Sequence, residues 1–100
     1  QTCGGVQLVV TDASRFNAYH AYLRLIARCH ALHGDAFAWR TERYEYVDTI
    51  PAIDLLTGGP EYRETVDRGA SLDDLLDEDR ANAMRFYKTR APFLLYPEGQ

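Results

Sequence analysis

The sequence has no excess of basic charge, no long apolar run, no internal repeat and only two cysteines, and each absence closes a class of function. With 11 Lys and Arg against 15 Asp and Glu in 100 residues, the formal net charge is −4. A nucleic acid or an anionic membrane surface is therefore not the expected partner, because either calls for a basic face. No apolar run approaches the roughly 20 residues that cross a bilayer, so no membrane span is expected. Signal-peptide features are absent too, although the chain opens at Gln1 and reaches a strand-like segment almost at once, which reads as a piece of something longer. Cys3 and Cys29 follow no metal or redox spacing and are read as buried free thiols. A phosphate loop, a dinucleotide fingerprint and a nucleophile elbow are all missing, and no cofactor or metal is expected.

What is present is enough for one modest core: 46% of residues are hydrophobic and 12% aromatic, in a chain of single-domain length. Val6–Thr11 is apolar and β-branched and reads as a buried strand. Ser14–His33 repeats its apolar positions at helical spacing, with Ser14 or Asn17 as N-cap and Gly34 as the stop. Ala36–Arg40 and Arg43–Val47 suit two brief strands. Ile53–Leu56 is a short apolar turn or helix closed by Gly58 and Gly59, and Pro60–Arg68 is a helix stopped by Gly69. Ser71 to Asp74 resembles a capping box that opens a helix to about Thr89, with Leu72, Leu75, Leu76, Ala83, Phe86, Tyr87 and Arg90 as its buried stripe. Phe93–Tyr96 reads as a final or edge strand. The expected fold class is α+β, a single domain in which a small mixed sheet is packed by two longer helices.

Several residues carry possible chemistry. His30 and His33 lack the four-residue spacing and adjoining acid of a helical zinc site, so the three histidines, His20 included, are read as ordinary. Five acids lie in the seven residues from Asp73 to Asp79, without the alternating ligands and central glycine of a calcium loop; a solvated helix start accounts for them. Glu45, Asp48, Asp54 and Glu61 are close in sequence, but spacing does not make them a glycosidase acid/base pair. Trp39, Tyr44, Tyr46 and Tyr62 are equally suited to a sugar platform or to core packing.

Taken in order, Cys3-Gly4-Gly5-Val6-Gln7 through Thr11-Asp12, Tyr44-Glu45-Tyr46, Pro51 with Ile53-Asp54-Leu55-Leu56-Thr57-Gly58, Tyr62-Arg63, Gly69, and Phe86 with Arg90 and Leu94-Leu95-Tyr96 resemble the C-terminal domain of the NamZ family. The resemblance spans nearly the whole chain. One departure is visible: Asp79 stands where the family pattern leads one to expect Trp. An Asp on an apolar stripe must find a hydrogen-bond partner, face solvent or protonate.

The resemblance implies an exo-β-N-acetylmuramidase, a glycoside hydrolase that removes terminal N-acetylmuramic acid from peptidoglycan fragments. It places the catalytic groups in a Rossmann-like N-terminal domain upstream of Gln1, and none in this chain, which would be the accessory C-terminal domain at residues 1–100 walling the sugar cleft. The implied partners are that upstream domain and a peptidoglycan-derived sugar, in a bacterial setting, periplasmic, secreted or in wall recycling. Asp54 and Arg63 are the candidate substrate-binding residues: the acid for sugar hydroxyls, the guanidinium for the lactyl carboxylate of muramic acid. Their plainer reading is turn capping and a surface ion pair. Two rivals stand beside this one. A free-standing carbohydrate-binding or protein-interaction module would have no enzyme attached. A purely structural domain would leave a large apolar face exposed.

Overall fold

The computed structural model describes residues 2–97. Among them the chain forms four α-helices, α1 (Ala18–His33), α2 (Ala52–Thr57), α3 (Glu61–Asp67) and α4 (Asp73–Arg90), with short 3-10 turns at Ala13–Arg15, Gly34–Ala36 and Ala91–Phe93. No strand is formed among the described residues, so the expected α+β fold with a mixed sheet is corrected to a helical one.

The helices begin and end where local chemistry allows. Asn17 caps α1 by accepting from the His20 amide at 3.0 Å, and the N-terminus therefore falls after Ser14. Ser14 belongs instead to the preceding turn, where the Asp12 carboxylate accepts from both its amide and its hydroxyl. Gly58, with φ of 86°, ends α2 in the left-handed region that a side chain resists. At the start of α4 the Ser71 hydroxyl accepts from the Asp73 amide at 3.1 Å.

The missing sheet has a physical reason. A β-branched run favours extended backbone but cannot supply the edge that would pair with it. Among the described residues the other segments read as strands, Ala36–Arg40, Arg43–Val47 and Phe93–Tyr96, form no ladder, and turns take up part of each. Gly34–Ala36 closes the end of α1 in a 3-10 turn. Tyr44 and Val47 bond to each other in both directions, at 3.0 and 3.1 Å, around a tight turn in which Glu45 takes φ of 57°. Ala91–Phe93 continues from α4 as another 3-10 turn. Among the described residues Val6–Thr11 has no strand partner and is exposed, with Val6 at 72%.

The core is small and lies where α1, α3 and the first half of α4 meet. Leu23, Tyr62, Val66, Leu72 and Leu76 are buried there, and Ile26, Ala27, Trp39, Ile53 and Leu75 pack against them. Burying an aliphatic side chain of this size contributes about 1.5–3 kcal/mol, so few residues carry most of the stability. The Tyr62 hydroxyl donates to the Leu23 carbonyl at 2.6 Å, tying α3 to α1. His30 and the Trp39 indole both reach the Asp67 carboxylate, at 3.1 and 2.8 Å, which fixes the loop after α1 to the end of α3.

Two further expectations are corrected. Residues 80–89 are all exposed, so the buried stripe of α4 stops at Asp79 and does not include Ala83, Phe86 or Tyr87. Both cysteines are free, but Cys3 is exposed and Cys29 only half-buried.

Candidate functional site

The hairpin of α2 and α3 brings together the two residues singled out from the sequence. The turn at Gly58, Gly59 and Pro60 reverses the chain, so that Asp54 on α2 faces Arg63 on α3. Arg63 Nε donates to both Asp54 oxygens at 3.0 and 3.2 Å, and Nη2 donates to Oδ2 at 2.9 Å. Asp54 is 6% exposed. A buried carboxylate needs hydrogen-bond partners, and Arg63 supplies them. That same bond to Asp54 holds the Arg63 guanidinium above its usual pKa, so Arg63 stays charged. The pair is therefore more than a surface contact, and Asp54 is spoken for by Arg63.

This pair borders an open depression of about 500 Å³, whose apolar side is formed by Ile50, Pro51, Leu55 and Pro60. A guanidinium has five N–H donors, and the bonds to Asp54 commit only Nε and one donor of Nη2. The remaining donors suit a planar anion such as a carboxylate. The arrangement can bind and orient an acidic ligand with an apolar face. It contains no nucleophile with an adjacent base.

A second depression, of about 300 Å³, opens where α1, α3 and α4 meet, and it was not anticipated. Tyr19, Glu61, Tyr62, Glu78, Asp79 and Asn82 line it. Behind Asp79 lies His20, 6% exposed. His20 Nε2 is 2.7 Å from Asp79 Oδ2, and His20 Nδ1 is 3.4 Å from Arg80 Nη2. With Arg80 donating to Nδ1, the imidazole is the tautomer that donates from Nε2 to Asp79. This ion-dipole chain resolves the anomaly at position 79. Burial, then the Asp79 charge, raises the Tyr19 pKa, and burial, with Tyr19 adding to it, pushes Tyr62 up to about 12. The sequence did carry a signal: His20 precedes Leu23 by three residues on the inward face of α1, opposite an Asp that needed a partner.

The other candidates disperse. Asp54 and Glu61 border different depressions, which separates the carboxylates that were adjacent in sequence. Trp39 and Tyr62 stack edge-on, 6.1 Å apart, at the core, whereas Tyr46 is 87% exposed, so the four aromatics form no shared platform.

Comparison with known proteins gives these sites a context. No solved structure matches the chain. A curated relative, the peptidoglycan beta-N-acetylmuramidase NamZ of Bacillus subtilis strain 168, is 31% identical over 94 residues, which are 94% of this chain and 21% of that protein. The chain thus spans about a fifth of the length of its relative. The family described as exo-beta-N-acetylmuramidase NamZ, C-terminal, matches residues 1–96, and the chain belongs to that family.

Proposed function

We propose that this chain is the accessory C-terminal domain of a longer exo-β-N-acetylmuramidase, in which it helps to wall the cleft that holds a terminal N-acetylmuramic acid. The observation that carries the reading is the family match over residues 1–96, joined by a relative whose name states the muramidase activity. Catalytic carboxylates belong, in this reading, to an upstream Rossmann-like domain, and the location is bacterial and outside the cytoplasm.

The geometry supports one role in particular. Muramic acid differs from glucosamine by a lactyl ether that ends in a carboxylate. Arg63, charged and oriented by Asp54, offers that carboxylate a bidentate partner, and the apolar side of the depression offers a surface for the sugar ring. Asp54 then acts as a positioning residue, and the sugar-contacting role first assigned to it passes to Arg63. Fixing the sugar in this way contributes orientation to the reaction.

The test is kinetic and uses the longer protein. Arg63→Ala should raise KM for a chromogenic β-N-acetylmuramide about 10- to 100-fold, the worth of one charge-assisted contact, with a much smaller change for the matching β-N-acetylglucosaminide. Equal changes for both substrates, or none, would remove Arg63 from carboxylate recognition.

A further inference from the structure

The chain buries too little of itself, and we infer that the distal half of α4 together with residues 93–96 is a docking face for the upstream part of the longer polypeptide. This inference rests on the preceding reading that such a part exists. The accessible surface is 8421 Å², against about 5,800 Å² for a compact monomer of this mass. The radius of gyration is 16.6 Å, where about 13 Å is usual for 100 residues. The surplus exceeds the roughly 800 Å² that a standard interface removes from one partner.

Part of the surplus is apolar and continuous along α4 and just beyond it. Leu72, Leu76, Asp79, Ala83, Phe86 and Arg90 follow one another along α4 at alternating spacings of four and three, the pattern of a helix packed along its full length. Its first two members are buried, yet Phe86 is 64% exposed. Beyond the helix Phe93, Leu95 and Tyr96 are each more than four-fifths exposed. An apolar patch of this kind marks an interaction surface.

The occupant follows from the length of the relative. The chain aligns with 21% of its relative, so nearly four-fifths of a protein of that kind lies outside it. An upstream part joined through the backbone is held beside this face at high effective concentration, which favours it over a second copy or a lipid surface.

Hydrogen–deuterium exchange of this chain alone and of the longer protein tests the assignment. Amides of residues 80–96 should exchange at least tenfold more slowly in the longer protein, and Phe86→Ser with Leu95→Ser should restore fast exchange there while α1 stays protected. Unchanged rates at 80–96 would overturn the inference and leave the preceding reading standing; a coding region with no upstream part would overturn both. Protection of the chain alone that grows with its concentration would give the face to a second copy. Protection gained only with phosphatidylglycerol vesicles would give it to a membrane.

Discussion

Asp79 illustrates how one polar side chain on an apolar helix face constrains its neighbours. Its carboxylate accepts from His20, which is buried and has few other partners available. Asp79→Ala should cost about 1–3 kcal/mol, the penalty of leaving a buried imidazole N–H unpaired. In a double-mutant cycle with His20→Ala, denaturant melts should give a coupling energy of about 0.5–3 kcal/mol; additive single effects would mean that the two side chains do not depend on each other. The need for a partner at Asp79 was legible in the sequence, but its identity was not, because it depends on how α1 and α4 are juxtaposed. Asp54 and Arg63 were each singled out in the sequence as sugar contacts, but their bond to each other was not, because it depends on the turn that brings α2 against α3.

Tyr62 gives a prediction in pH. Burial raises its folded pKa from 10 to about 12, so the unfolded chain loses the phenolic proton first as pH rises. The folded state then binds more protons than the unfolded one, and stability falls with increasing pH. That contribution is complete below pH 10 and is lost progressively between pH 10 and about 12. Tyr62→Phe should flatten the alkaline decline while costing about 0.5–1.5 kcal/mol at neutral pH, through loss of the bond to the Leu23 carbonyl. A decline of unchanged steepness in the variant would show that other groups control it.

At the scale of elements, the helices were readable because their signals are local. Asn17, Gly34, Gly58 and Gly69 mark boundaries through their own backbone and side-chain chemistry. The strands were not readable in this way, since a strand exists only with a partner that may lie anywhere in the chain. Val6–Thr11 has strand composition without an edge to join, while Tyr44 and Val47 turn on each other. The stripe of α4 was correctly spaced, but spacing does not disclose that the core ends at Leu76. Leu76 is 1% exposed at the centre of that small core. Leu76→Ala should destabilise the chain by about 2–5 kcal/mol in urea melts, whereas Met84→Ala on the exposed half should stay within about 0.5 kcal/mol. Comparable losses at both positions would place the core further along the helix.

For the whole molecule, the small core, the surplus surface and an alignment covering a fifth of a longer relative point in the same direction. In the proposed reading the domain binds an acidic sugar at Arg63 and rests on a neighbour through α4, and so contributes to hydrolysis without performing it. The family was legible in ordered short segments, from Cys3-Gly4-Gly5 to Leu94-Leu95-Tyr96, because residue identities in order are read without knowing what each segment packs against. The state of the isolated chain was not, since it depends on what the chain packs against.

The most direct measurement is hydrolysis of a chromogenic β-N-acetylmuramide by this chain alone and by the same chain joined to its upstream region. The account predicts turnover only in the joined protein. Turnover by the chain alone would contradict it and would place catalytic groups among its own residues, and absence of turnover in both would favour a binding module with no enzyme attached.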